Sequence, residues 1–316
     1  MLSLESSHIL SLLNLPPPSF ENMYPAWLRT PALAGLLVST TLALDLPEYR
    51  GLKTSQNASV LEITLHNPTS PINVWSHDFQ TGLADIVQRL QTNNETKVVI
   101  FKSDVPGFFC AHLDLLMPGI ETAAGSFVEL MYNISNLPQV TIGAVDGRAR
   151  GAGNELLMGL DMRFATKYET LLGQIEVATG LIPGGGGSQH LPGLIGRGLA
   201  MEYILSGKDI NAQDAERIGW INKAFDTSSE MYAYIDELTS RLVLYPLAAL
   251  AAAKESINLA ARPPLENLLQ DVASFNRRIA DPIVSQLLGK ALSLTNNQSL
   301  GDVELNLGRD LPLLYN

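Results

Sequence analysis

Cysteine is almost absent from this chain: Cys110 stands alone among 316 residues. A lone thiol excludes an internal disulfide and any zinc site built from several thiolates. The five histidines (His8, His66, His77, His112 and His190) show no helical pair spacing, so no metal site is expected. Basic residues are also scarce. Lys and Arg number 21 against 32 Asp and Glu, which leaves a formal charge of −11. That balance argues against a nucleic-acid binder, which needs a basic face. It also means that an anionic ligand must be met by local groups. Charged residues make up only 17% and hydrophobic residues 46%, a balance that excludes a disordered chain and predicts a filled core. The apolar stretch from Pro31 to Leu44 is too short to span a bilayer comfortably.

Glycine, in contrast, is concentrated where it can do chemistry. The stretch Asp146-Gly-Arg-Ala-Arg-Gly-Ala-Gly-Asn-Glu155 follows the apolar run Val140–Val145 and precedes Leu156–Leu160. The pattern predicts a buried strand that turns into a helix. Backbone N–H groups at such a helix start lack partners and face whatever anion or polarised oxygen is placed there. Glu155 lies three residues past Ala152, on the same side of the first turn. The competing reading is a tight turn with a surface glutamate.

Elsewhere the periodicities alternate between strand and helix up to about residue 170 and are helical afterwards. Strands are predicted at Val60–Leu65, Lys97–Lys102 and Asp161–Thr166, and a short extended segment after the turn at Pro106-Gly107. Helices are predicted at Asp78–Gln91, Ser126–Leu137, Gly198–Leu205, Ala212–Ile218, Tyr232–Leu244 and Leu247–Ala261. No linker interrupts residues 50–260, which therefore read as one α/β domain with a helical tail. Residues 1–50 form an extension. It reads either as an amphipathic or buried helix or as a targeting segment; counted from Met23, Arg29, the apolar core and Thr41-Leu-Ala43 resemble a secretory signal with its cleavage site. From Met1 it is a poor mitochondrial presequence. Sequons at Asn57, Asn94, Asn133 and Asn297 are compatible with export.

Four segments in this order resemble the crotonase (enoyl-CoA hydratase/isomerase) family: Ile63-Thr-Leu-His-Asn-Pro68, Phe109-Cys-Ala-His-Leu-Asp114, Gly147–Glu155, and Gly173-Gln-Ile-Glu176 followed by Gly180-Leu-Ile-Pro-Gly-Gly-Gly-Gly-Ser-Gln-His190. The run Gly198–Gly219 is similar to the family's segment after the active site. The resemblance covers about residues 55–260. It implies an α/β fold, a spiral of β-β-α repeats in residues 51–225, with a helical C-terminal region in residues 226–316 used in oligomerisation, as a trimer or hexamer. It implies an acyl-CoA thioester as substrate, with coenzyme A as part of that substrate and no separate cofactor, an intracellular location and a part in fatty-acid metabolism. It further implies an oxyanion hole formed by the backbone N–H groups of Leu113 and Ala152, lined by Ala111, His112, Leu115, Gly151 and Gly153. Donors preorganised for an enolate oxygen in a dry site can be worth several kcal/mol of barrier. Hydratases of the family use two glutamates, and both matching positions are Glu here. The resemblance assigns Glu155 to activating water and Glu176 to proton transfer at the α-carbon, so hydratase-like lyase chemistry is expected. The alternatives are an isomerase, a biosynthetic enzyme acting on another substrate, or a non-catalytic protein that kept the fold.

Three departures stand out. His112 occupies a position where the family usually has Gly, so it either contacts the ligand or packs away from it. Arg148 and Arg150 flank the glycine turn and either meet a phosphate or a substrate carboxylate or are solvated surface groups. The family's Lys/Arg-rich C-terminal end is not recognisable; Phe275–Pro282 and Gly301–Gly308 stand there instead.

Overall fold

A computed structural model describes residues 43–316. The extension up to residue 42, with most of the expected helix or targeting segment, lies outside the described residues. The chain opens with β1 (Leu52–Asn57), β2 (Val60–Leu65) and α1 (His77–Leu90). Three turns of a spiral follow, each placing one strand in a large sheet and one in a small sheet. They are β3 (Val98–Ser103) with β4 (Phe108–Cys110) and α2 (Ile120–Ser135); β5 (Val140–Val145) with β6 (Arg148–Arg150) and α3 (Ala152–Gly159); and β7 (Met162–Thr166) with β8 (Leu171–Gly173) and a 3₁₀ turn at Glu176–Thr179. Next come α4 (Gly187–Ile195), α5 (Arg197–Ser206), β9 (Ile210–Asn211), α6 (Ala212–Ile218) and β10 (Lys223–Phe225). The helical end comprises α7 (Ser228–Leu242), α8 (Leu247–Ala261), α9 (Leu265–Ile279), α10 (Pro282–Leu294), α11 (Asp302–Leu305), α12 (Leu307–Asp310) and a 3₁₀ turn at Leu311–Tyr315.

The large sheet runs in the order β1-β2-β3-β5-β7-β10 and the small one β4-β6-β8-β9. All neighbours in the large sheet are parallel except β1 with β2. That arrangement explains the composition of the central strands. Every residue of β5 is buried, as a parallel strand covered on both faces requires. The main core packs Trp75, Phe79, Phe101, Leu130, Leu156 and Leu157 between the sheet and α1, α2 and α3. Each such side chain contributes about 1.5–3 kcal/mol on full burial.

The glycine turn differs from the sequence expectation. The strand does not run directly into the helix. Gly147, at φ +111°, turns the chain into β6, which pairs with β4 and β8 before α3 begins. This short strand is what carries the turn from the large sheet to the small one. The helical C-terminal region is as expected, and it returns to the small sheet at its very end. No described helix is by itself long and apolar enough to cross a membrane.

Candidate active site

Two loops and one helix start meet at one cavity. The first loop follows β4. Asn73, fully buried at φ +57°, donates to the Phe109 carbonyl at 2.8 Å and holds the end of that strand. Beyond it, Trp75 N donates to His112 O at 2.7 Å and Asp114 N donates to Trp75 O at 3.0 Å. In this parallel bridge the residue between, Leu113, directs its own N–H away from Trp75. That N–H has no acceptor among the described residues, and Leu113 lines the cavity. The second free donor is the N–H of Ala152, the first residue of α3, whose amide has no partner within the helix. Gly151, just before it, sits at φ +49°, and a Cβ there would come within 2.9 Å of the Glu176 carboxylate. Only glycine lets the helix begin this close to that carboxylate.

Glu155, one turn into α3, is 5% exposed. Its Oε1 accepts from the N–H groups of Gly185 (2.8 Å) and Gly187 (3.0 Å). The glycine loop after Pro183 thus has a target: its amides hold this carboxylate. Burial pushes the Glu155 pKa up, the two backbone N–H groups oppose that, and the net result is about 7. Glu176 follows β8, is half-buried and lines the cavity. Burial raises its pKa well above the ordinary carboxylate range, and the nearby charge of Glu155 raises it further. A fully buried relay stands behind it. Trp220 Nε1 donates to Asn154 Oδ1 (3.1 Å), Asn154 Nδ2 donates to Gln174 Oε1 (2.7 Å), and Gln174 Nε2 lies 3.5 Å from both Glu176 oxygens.

The structure brings seven of the nine expected residues to this cavity: His112, Leu113, Leu115, Gly151, Ala152, Glu155 and Glu176. The other two do not line it. Ala111 is buried in a separate apolar cluster with Ile72, Val74 and Phe108. Gly153 faces β4, where a Cβ would collide with the Cys110 carbonyl, so its smallness serves packing. Arg148 and Arg150 also lie elsewhere. Arg148 Nε donates to Leu305 O (2.8 Å), and Arg150 pairs with Asp209 at 2.8 Å while Nη1 donates to Glu304 O (2.9 Å). The rest of the cavity wall is mostly apolar; Gln80, Thr179 and Thr295 are its polar but uncharged members, and the apolar ones include Phe127, Leu181, Phe275, Leu288, Leu307 and Leu311. The sequence signal for the last four was only the helical character of the tail. His112 is 6% exposed; burial alone lowers its pKa, but the Glu304 carboxylate beside it leaves it raised.

The chain matches the family model described as enoyl-CoA hydratase/isomerase over residues 55–281. It is 31% identical over 261 residues to the mouse enoyl-CoA hydratase domain-containing protein 2, mitochondrial, covering 74% of this chain and 87% of that relative. It is 33% identical over 195 residues to the mouse methylglutaconyl-CoA hydratase, mitochondrial, covering 59% of this chain and 62% of that relative. The crystal structure of a Streptomyces avermitilis protein assigned as an enoyl-CoA hydratase superimposes with a TM-score of 0.79 at 32% identity, covering 85% of this chain and 98% of that one. An enoyl-CoA hydratase from Bacillus anthracis gives 0.63 at 26% identity, covering 79% and 97%.

Proposed function

Because the chain belongs to the enoyl-CoA hydratase/isomerase family and is an enzyme of it, we propose that it adds water across the conjugated double bond of an enoyl-CoA thioester. The thioester oxygen accepts hydrogen bonds from the Leu113 and Ala152 amides. Glu155 takes a proton from water as the oxygen bonds to the β-carbon. Negative charge moves through the α-carbon to the thioester oxygen as an enolate. Glu176 then delivers its proton to the α-carbon, and the reverse sequence eliminates water.

One observation carries this assignment of roles: the two carboxylates face one cavity with unequal support. Glu155 has two backbone donors at hydrogen-bond distance, which favour its ionised, basic form. Glu176 meets its side-chain donor Gln174 only at 3.5 Å; its own amide and that of Ile175 favour the ionised form, but burial and the charge of Glu155 outweigh them and favour the protonated, acidic form. A screen of enoyl-CoA thioesters with the parent, Glu155→Gln and Glu176→Gln proteins tests the reading. Hydration by the parent, lost in both variants, is expected; turnover limited to double-bond migration would replace hydratase by isomerase.

The same reading includes self-association. Ile257 and Leu259 of α8 are 66% and 85% exposed, on a helix whose small residues leave most of its surface uncovered. Sedimentation should give a trimer or a multiple of it, and a monomer at micromolar concentration would refute this part.

A further inference from the structure

His112 is not on the surface and does not act alone. Its Nδ1 lies 2.8 Å from the Leu113 carbonyl oxygen, which can only accept, so Nδ1 carries a hydrogen. Its Nε2 lies 3.3 Å from Oε2 of Glu304, a residue with no exposed surface. With Nδ1 committed as a donor, Nε2 and the carboxylate share one proton between them. Either arrangement leaves the pair neutral as a whole, which is how a buried acid and base avoid an unpaired charge.

Glu304 belongs to α11, and α11 begins a strap that ends over the cavity. Three groups of the small sheet and its loops hold this strap. Arg148 and Arg150 donate to the carbonyls of Leu305 and Glu304, and Asp209 accepts from Gly308 N at 3.3 Å. The next residues, Leu307 and Leu311, line the cavity. Gln298 adds a further tie to the loop that carries Leu113. Its Oε1 accepts from Leu115 N, and its Nε2 donates to Asp114 Oδ1, both at 2.8 Å. No lysine or arginine is among the described residues that line the cavity. The two arginines that flank the glycine turn are spent on the strap, and Arg278, beside the cavity wall at Gly180, is paired with Asp281.

We propose that His112 and Glu304 are a positioning pair that clamps the strap over the cavity, so that the site takes an acyl group with an apolar far end and rejects one that ends in a carboxylate. The proposal rests on the acyl-CoA reading above. The clamp explains why a histidine stands before Leu113. It also explains why arginines close to the site meet no ligand: the strap covers them with its backbone and presents two leucines instead. A carboxylate at the far end of the acyl group would enter an apolar wall with no counter-charge.

The test compares His112→Gly, Glu304→Gln and the double variant His112→Gly/Glu304→Leu with the parent, using hydrogen exchange across residues 302–315 and steady-state kinetics with 2-octenoyl-CoA and glutaconyl-CoA. The parent should favour octenoyl-CoA at least tenfold in kcat/KM. His112→Gly leaves the Glu304 carboxylate buried without a donor. It should exchange faster in the strap and raise KM for octenoyl-CoA about tenfold, with kcat changed less than threefold. Glu304→Gln, whose amide still bonds to the ring, should show little of that loss, and the double variant, which removes both polar partners, should recover much of it. Unchanged strap exchange in His112→Gly overturns the clamp. So does a fall in kcat at constant KM, or a parent that prefers glutaconyl-CoA. If His112→Gly does not fold, recovery of folding in the double variant supports the pairing, and its failure there refutes it. A parent inactive on every enoyl-CoA would sink the acyl-CoA reading, while the exchange comparison would still judge the clamp.

Discussion

Glu176→Gln is the most direct perturbation of the proposed chemistry. The substitution keeps the shape of the side chain. It also keeps the charge of the protonated acid, the form that burial and the Glu155 carboxylate favour. Binding should therefore change little, with KM within about threefold and thermal stability close to the parent's. Turnover should collapse, because an amide cannot give a proton to carbon. A positioned general acid or base is worth about 10²- to 10⁴-fold, which at 1.36 kcal/mol per decade is about 2.7–5.4 kcal/mol of barrier. The pH profile supplies an independent reading. In the parent, kcat/KM should rise as Glu155 ionises near pH 7 and fall again at higher pH as Glu176 loses its proton. The descending limb should vanish in the variant, leaving the residual activity to rise and level off. Stopped assays of crotonyl-CoA hydration between pH 5 and 10 would show both. A variant that kept a third of parental kcat, or one that kept the descending limb, would refute the role given to Glu176.

Gly185→Ala tests the glycine loop rather than the chemistry. A Cβ at that position strikes the Phe127 ring and Oε2 of Glu155, so the loop or the carboxylate must move. Overpacking of this kind costs about 1–3 kcal/mol, and kcat should fall at least tenfold; an unaltered kcat would show that the loop does not hold Glu155. His190 gives a pH test of stability. Burial and then the charges of Arg163 and Arg262 lower its pKa to about 4. The unfolded chain binds this proton near pH 6.5 and the folded chain only near 4, so stability should fall as the pH drops through that window. The slope from one such group is about 1.4 kcal/mol per pH unit. Denaturant titrations of His190→Gln should lose that slope between pH 6 and 4.5, and parallel curves for the two proteins would contradict the assignment.

How far the fold could be read in the sequence depended on how local its causes are. Strands β2 and β5 and helices α6 and α8 have the bounds their patterns predict. Alternation, an unbroken apolar run and caps such as Asn211 are written in adjacent residues. Strand β1 was not predicted, since Leu-Lys-Thr-Ser-Gln-Asn is mostly polar; it exists as the antiparallel edge of β2. Helix α2 begins at Ile120, six residues before the predicted Ser126. Its Gly119 cap and its Thr-Ala-Ala-Gly stretch lack both a capping side chain and an apolar stripe. Strand β6 was hidden inside the glycine turn because Arg-Ala-Arg forms a strand only through β4 and β8. The two glutamates were legible as a pair because the ordered motifs resemble a family. The clamp was not. His112 and Glu304 are 192 positions apart, and Asp302–Leu305 carries no pattern that announces a fully buried carboxylate.

The relay behind Glu176 shows what such long-range contacts add to the chemistry. Indole Nε1–H of Trp220 can only donate, so it fixes the oxygen of Asn154 toward itself. The Asn154 amide nitrogen must then face Gln174 and be met by its oxygen. That leaves the Gln174 NH₂ group aimed at Glu176. The direction of all the amides follows from one donor-only group, 44 residues beyond Glu176 in the sequence. At 3.5 Å the last contact is too long to stabilise a carboxylate strongly in the resting site, in keeping with the raised pKa of Glu176. In the proposed mechanism, once that proton has gone to the α-carbon the carboxylate left behind carries a charge, and the same NH₂ group is already oriented to receive it. On the proposed roles, the relay leaves the acid weakly contacted before the transfer and offers a donor to the carboxylate after it, and a proton donor that must be reset in every cycle needs both.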